Sequence, residues 1–305
     1  MNKLKELINK AKEKKNKIAV AVGEDLEVLK AVQKSIELDL CSFSLFGNEK
    51  KTREICESIG FKEETYKSIE FIDCKSEKCA VEKAIKSVSE NKCNLLMKGH
   101  VKTATILKEF LNEKYNLRTK NVMNLVSVFE IPDFDRLIIS TDAGMVISPT
   151  LDQKKASINN CIKVAESIEI NNPKVAILSA VEVVNEKMPE TLDAAILSKM
   201  NDRNQIKGAV VDGPFALDNA VSELAAKNKG IISPVAGKAD ILIMPDIQSG
   251  NIFYKTLVFL AKAKVASSIV GGKKPIILTS RADNEESKLL SIALNILIAG
   301  SCDNA

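Results

Sequence analysis

The sequence predicts an α/β fold built mainly on parallel sheet, and three observations lead there. Short β-branched runs alternate with longer stretches of helical spacing along the whole chain. Most of the strand-like runs are continuously apolar rather than alternating, the pattern of strands covered on both faces by helices. The segments that follow them are rich in Gly, Pro, Asp and Ser, and in open α/β sheets such strand ends face one ligand crevice.

The elements follow in order. Leu4, Leu7, Ile8 and Ala11 carry helical spacing, with the basic run 10–17 as a solvated face. Strands are expected at 17–22, 42–46 and 94–97, with helical windows at 26–38, 50–59 and 81–88 between them. Residues 122–131 and 136–140 read as a strand pair, because the connection Pro132-Asp133-Phe134-Asp135 is short. Later strands are expected at 175–179, 208–211, 241–244 and 275–279. A domain boundary is expected near 130–140, and no repeat or low-complexity linker interrupts the chain.

Composition narrows the function classes. With 305 residues the chain is long enough for two ordinary domains, and 45% hydrophobic with 28% charged residues describes a soluble globular protein. A net charge of +4 suits small polyanions such as phosphates and nucleotides. Only 4% of residues are aromatic, and none is interleaved with a basic stretch, so no nucleic-acid partner is expected. The seven cysteines form no C-x-x-C pair and read as free thiols of a reducing compartment. No signal peptide and no apolar run of about 18–20 residues is present, so the expectation is a cytoplasmic protein with no membrane partner. The single histidine, His100, leaves no multi-histidine metal site, and no metal is expected.

Several strand ends share one design. Ser280 and Arg281 stand between an apolar strand and an amphipathic helix, where free N–H groups, a hydroxyl and a guanidinium converge as a phosphate site; alone such an arginine also reads as a solvated surface charge, and the similar strand ends in the same half of the chain favour the site. Lys98-Gly99-His100-Val101-Lys102-Thr103 precedes the helical pattern Ile106, Leu107, Phe110, Leu111; Lys98, Lys102 and Thr103 make an anion cradle there, or equally solvated lysines at a helix start. Asp142 lies in Thr141-Asp142-Ala143-Gly144, and Asp212 precedes the turn of Gly213 and Pro214. Asp246, Gly250 and Asn251 sit in the loop after 241–244, where Asp246 or Asn251 also reads as a helix cap. Neither G-x-x-x-x-G-K-[ST] nor a G-x-G-x-x-G after a strand occurs. Phosphate chemistry without those loops points to acyl phosphates and coenzyme A.

Four of these segments carry a resemblance: 211–220 (Val-Asp-Gly-Pro-Phe-Ala-Leu-Asp-Asn-Ala), 233–240 (Ser-Pro-Val-Ala-Gly-Lys-Ala-Asp), 244–251 (Met-Pro-Asp-Ile-Gln-Ser-Gly-Asn) and 274–281 (Lys-Pro-Ile-Ile-Leu-Thr-Ser-Arg). Together they resemble the phosphate acetyl/butyryltransferase family. Residues 97–103, 129–132 and 192–200, with the short overall length, are most similar to its butyryl branch. The resemblance implies two α/β domains like those of isocitrate and isopropylmalate dehydrogenases, with the site in an interdomain cleft. The expected domains are 1–135 with 272–305, and 136–271. The implied reaction is butanoyl-CoA plus phosphate to butanoyl phosphate plus coenzyme A, with no cofactor beyond these substrates. A homo-oligomer, dimer or larger, and metabolic coupling to an acyl kinase are also implied.

By the family's pattern Arg281 binds the transferring phosphate and Ser280 lies beside the reacting carbonyl, where a tetrahedral oxyanion needs donors. One departure concerns the base. The acetyl branch has an aspartate seven residues after the matched serine, and here that position is Ser287. Glu286 is then the first choice for the thiol proton, although Asp283 and Glu286 also read as a helix cap and its capping-box partner. Two other readings stand beside the transferase: a different enzyme of the same superfold, such as an oxidative decarboxylase, and a non-catalytic module that senses coenzyme A or phosphate.

Overall fold

In the computed structural model the described residues are 1–278 and 284–302, the side chain of Cys302 excepted. They adopt the expected α/β class. The chain divides into two compact units, Met1–Leu4 with Asn121–Val265 and Lys5–Lys120 with Ala266–Ala305.

The unit that begins at Lys5 opens with α1 (Lys5–Ala11), β1 (Lys17–Ala21), α2 (Leu26–Glu37), β2 (Ser42–Gly47), α3 (Glu49–Ser58) and α4 (Glu63–Lys67). Then come β3 (Ile69–Asp73), α5 (Glu77–Ser89), β4 (Leu95–Lys98) and α6 (Thr103–Phe110). Asp25, Asn48 and Ser76 cap α2, α3 and α5, each accepting a backbone N–H from the helix's first turn. The basic run 10–17, expected on a helix face, lies mostly beyond α1, in the turn into β1.

The other unit holds β5 (Asn124–Glu130), β6 (Ile138–Thr141), α7 (Leu151–Ser167), β7 (Lys174–Leu178) and α8 (Pro189–Asp202). It continues with β8 (Val210–Phe215), α9 (Leu217–Val221), α10 (Glu223–Asn228), β9 (Ile241–Ile243) and α11 (Ile247–Lys255). The chain then returns to the first unit as β10 (Lys264–Val270), β11 (Ile276–Ile277) and α12 (Glu285–Cys302).

In the first unit the strand order is β3-β2-β1-β4-β11-β10, and only β10 runs against its neighbour. Ile18 to Ala21 and Leu95 to Met97 are fully buried in its centre. In the second the order is β5-β6-β9-β7-β8, with β5 antiparallel and the rest parallel. Its core gathers Ile138, Leu178, Phe215, Val235, Leu242 and Met244.

The unit boundaries fall at 120/121 and 265/266, whereas the sequence placed them at 135/136 and 271/272. The expected boundary cut between two strands that hydrogen-bond to each other: β5 and β6 pair antiparallel through Ser127↔Ser140 and Phe129↔Ile138, so they share a unit. The N-terminal residues Lys3 and Leu4 join the same unit through Glu130, which accepts the Leu4 N–H at 2.8 Å and pairs with Lys3 at 3.4 Å. Two strands were not foreseen. β3 is an edge strand whose residues are half-buried or exposed, and β10 carries Ser267 and Ser268 in its middle. Those serines are buried because α12 meets them: the Ser267 N–H donates to Ser291 Oγ, and Ser268 Oγ donates to Asn295 Oδ1 at 2.7 Å.

A polar chain also holds β5, β6 and α7 together. Asn160 Nδ2 donates to Asn124 Oδ1 at 2.6 Å, Asn124 Nδ2 to Thr141 Oγ1 at 2.7 Å, and Thr141 Oγ1 to the Leu125 carbonyl at 2.9 Å. Asn124 is fully buried. Asn124→Ala removes one hydrogen-bond partner from each of two polar groups, although Asn160 Nδ2 keeps the Val122 carbonyl and Thr141 Oγ1 the Leu125 carbonyl, and should lower stability by about 1–3 kcal/mol in denaturant unfolding. A change within a few tenths of a kcal/mol would contradict this role.

Candidate active site

Parallel pairing decides where the candidate residues emerge. In the unit beginning at Lys5, Ala21 of β1 and Lys98 of β4 are register partners, and Ile277 of β11 lies opposite Met97. The loops after β1, β4 and β11 thus leave from one edge. β2 and β3 extend from one side of β1 and β4 lies on the other, so the order reverses between β1 and β4, the position where open α/β sheets bind ligands.

At that switch point the backbones touch. The N–H groups of Gly99 and His100 donate to the carbonyls of Ala21 and Val22 at 2.9 and 2.8 Å. A Cβ on Gly99 would stand 2.0 Å from the Val22 carbonyl oxygen, so glycine is required. Val22 itself has φ 61°, a conformation rare for a β-branched residue and one that concentrates at functional sites. Lys98 is buried, its ammonium donating to the carbonyls of Gly99 and Val101 at 3.1 and 3.3 Å. Lys102 is exposed at the N-cap position of α6 and makes no side-chain cap, and Thr103 opens the helix. The first turn of α6 contains no acidic residue, which leaves its positive end to an anion.

Glu286 lies exposed in the first turn of α12. The cap there is Asn284, whose Oδ1 accepts the Ser287 N–H at 2.9 Å. Ser280, Arg281 and Asp283 lie outside the described residues.

The second unit holds the other six candidates. Asp142 and Asp246 line one small cavity at the ends of β6 and β9, together with the buried Lys154. Lys154 is satisfied by Asp193, 2.7 Å from its ammonium. The Asp142 carboxylate accepts the N–H groups of Gly144, Met145 and Val146 at 2.7, 3.0 and 3.1 Å. Burial raises its pKa above the usual carboxylate range, and the N–H donors pull the other way. Asp142 therefore holds its own turn rather than offering a free carboxylate. Asp246 accepts the Ser249 N–H at 2.8 Å and so caps α11. Gly250 and Asn251 fasten α11 to the Asp142 turn. Asn251 Nδ2 donates to the Ala143 carbonyl at 3.1 Å, and a Cβ on Gly250 would stand 2.0 Å from the Asp142 carbonyl oxygen.

Asp212 and Pro214 are farther along the same edge, on β8, with β7 between them and β9. Asp212 accepts from Ser233 Oγ and from the Gly213 N–H, and Pro214 is buried after a cis peptide bond. Sequence reasoning missed the neighbours of this pair. Ser179 Oγ, at the end of β7, and the Oδ1 of fully buried Asn219 have no hydrogen-bond partner among the described residues. Asn219 Nδ2 donates to Glu182, which also pairs with Lys229 at 3.2 Å. The signal for Asn219 was available in the motif at 211–220; nothing in sequence marked Ser179 or Glu182.

Burial pushes the pKa of the Cys56 thiol up to about 12 and raises those of Cys41 and Cys161 as well. Among the described residues no group of His, Cys, Asp and Glu is placed to hold a metal ion. Nor is any described helix long and apolar enough to cross a membrane.

Residues 3–83 and 76–296 match the family model described as Phosphate acetyl/butaryl transferase. The chain belongs to that family. A phosphate acetyltransferase of Thermotoga maritima is 53% identical over 296 residues, 97% of this chain and 99% of the relative. Phosphate butyryltransferase of Clostridium acetobutylicum is 47% identical over 297 residues, covering 97% and 98%. Among solved structures, a branched-chain phosphotransacylase from Enterococcus faecalis matches with TM-score 0.81 at 31% identity, covering 93% of this chain and 99% of that one. A 4-hydroxythreonine-4-phosphate dehydrogenase from Klebsiella pneumoniae matches with TM-score 0.51 at 10% identity, covering 93% and 99%, a likeness of the dehydrogenase-type fold alone.

In this member of the phosphate acetyl/butyryltransferases, α11 and the Asp142 turn are locked backbone against backbone. Gly250→Ala should force them apart and cost about 1–3 kcal/mol or more, read by denaturant unfolding. Unchanged stability would show that the contact relaxes freely.

Proposed function

We propose that the chain is a phosphate acyltransferase that moves a short acyl group reversibly between coenzyme A and inorganic phosphate, with butanoyl as its preferred acyl group. The observation that carries this reading is the match to phosphate butyryltransferase across 97% of the chain. The higher identity to a phosphate acetyltransferase favours acetyl as the second reading. An extra methylene in an apolar pocket is worth only about 1–3 kcal/mol, so a few pocket residues decide between them.

Transfer is direct, in a ternary complex, with no covalent acyl-enzyme and no cofactor. Holding two anionic substrates together costs entropy and charge repulsion, and cationic strand-end loops offset both. Arg281 grips the phosphate with a bidentate fork, and Ser280 donates to the oxyanion. Lys102, Thr103 and the N-terminus of α6 supply further donors, and Lys98 fixes the loop that carries them. In the other unit Asp142, Asp246, Gly250 and Asn251 chiefly shape a loop, and with Asp212 and Pro214 they are that unit's own candidates for contact with phosphate or coenzyme A. A homo-oligomer working beside an acyl kinase fits this role.

Purified protein given butanoyl-CoA and phosphate should release free thiol in a phosphate-dependent way. In a panel of acyl-CoA substrates ranked by kcat/KM, butanoyl should lead; acetyl ahead by more than tenfold would overturn the butanoyl preference. Arg281→Lys keeps the charge but loses the fork. It should lower kcat/KM by at least tenfold, about 1.4 kcal/mol, with the fold retained. Ser280→Ala should chiefly lower kcat. Wild-type turnover of Arg281→Lys at limiting phosphate would remove the arginine's role.

A further inference from the structure

Attack of a thiol on an acyl phosphate releases a proton, and Ser287 stands where the acetyl branch has a carboxylate to receive it. The chain's single histidine lies at the β1–β4 switch point, on the edge from which β11 also departs. The His100 side chain is 59% exposed, and its Nδ1 is 3.4 Å from Asp25 Oδ2. A carboxylate facing Nδ1 selects the tautomer with the proton on that nitrogen, which leaves Nε2 as a bare acceptor. The separation is long for such a bond, as is common before substrate arrives.

Each partner is held independently of the other. Asp25 Oδ1 accepts the Val28 N–H at 2.9 Å as the cap of α2. The His100 N–H is bound to the carbonyl of Val22, whose left-handed backbone is held between β1 and the Gly99 contact. A non-glycine residue in that conformation persists only where its surroundings over-determine it. Here the result is that an imidazole and a carboxylate 75 residues apart face each other on a rigid edge. The charged groups at the start of each neighbouring element are Glu24 and Glu27 on the β1–α2 side, with Glu27 paired to Lys30 at 2.8 Å, Lys98 and Lys102 on the histidine's own loop, and Glu285 and Glu286 at the start of α12.

We propose that His100, oriented by Asp25, accepts the thiol proton of coenzyme A. This rests on the acyltransferase reading above. The S–H bond breaks as the sulfur electron pair attacks the acyl carbon, and the proton passes to Nε2. The bond from the acyl carbon to the phosphate oxygen then breaks with its electrons leaving on phosphate, which takes the proton from the imidazolium. In the opposite direction the imidazolium protonates the departing thiolate. Asp25 is a positioning residue that offsets the imidazolium charge.

The test compares wild type, His100→Gln, His100→Ala, Asp25→Asn and Glu286→Gln, assayed with acyl phosphate and coenzyme A across pH. His100→Gln should lower kcat/KM for coenzyme A by about 100-fold or more. It should also abolish the acid limb of the pH profile, and added imidazole should restore turnover to His100→Ala. Asp25→Asn keeps the α2 cap, because asparagine caps as well as aspartate, and should lose about tenfold. With one histidine in the chain, a single imidazole appears in 15N spectra; it should show a bare Nε2 in the wild type and a mixture of tautomers in Asp25→Asn. A wild-type rate and acid limb in His100→Gln, loss of that limb in Glu286→Gln alone, or a bare Nδ1 would each overturn the proposal. An active wild type with unaffected His100→Gln refutes the dyad alone. A wild type inactive on every acyl-CoA refutes the acyltransferase reading, and the dyad's role with it.

Discussion

Within each unit most strands run the same way, and the chemistry depends on that. β3, β2, β1, β4 and β11 are mutually parallel in one unit, and β6, β9, β7 and β8 in the other. Parallel strands need helical crossovers that cover both sheet faces, so most of these strands read as apolar runs with few polar side chains along their length. Polar side chains are displaced to the strand ends, and parallel direction sends all carboxyl ends to one edge. Lys98, His100 and Asp25 share an edge for this reason, as do Asp142, Asp246 and Asp212.

An edge made of loops would be too soft to position reacting groups unless something stiffened it. Here the stiffening is backbone on backbone. Gly99 lies against the Val22 carbonyl and Gly250 against the Asp142 carbonyl, each so close that a Cβ would stand 2.0 Å away. Asp142 spends its carboxylate on three N–H groups of its own turn. Several polar residues that look like ligand contacts are thus part of the frame that holds the loops still.

Much of the fold was legible because burial on both faces leaves a strong mark: β1, β4, β7 and β9 are apolar runs bounded by polar loops. β10 was not, because Ser267 and Ser268 break its apolar run, and their partners Ser291 and Asn295 come from a helix visible only in three dimensions. Sequence read β5 and β6 as a strand pair yet set the boundary between them, because a short connection shows that two strands pair without showing which unit they join. Residue type and strand end placed Lys98, Lys102 and the Asp142 turn at the carboxyl ends of strands, where they lie in the structure. Sequence did not separate a free carboxylate from one engaged by its own loop at Asp142, although at Asp246 it offered the helix cap that the structure shows. Nor did it join Asp25 to His100, since that pairing arises only when β1 and β4 lie side by side.

Direct transfer of the acyl group between two substrates held together is the claim on which the rest turns. The most direct measurement is isotope exchange between labelled coenzyme A and butanoyl-CoA, run with and without phosphate. Direct transfer predicts no label in butanoyl-CoA until phosphate is present. Label entering butanoyl-CoA in the absence of phosphate would require a covalent acyl-enzyme and would contradict it.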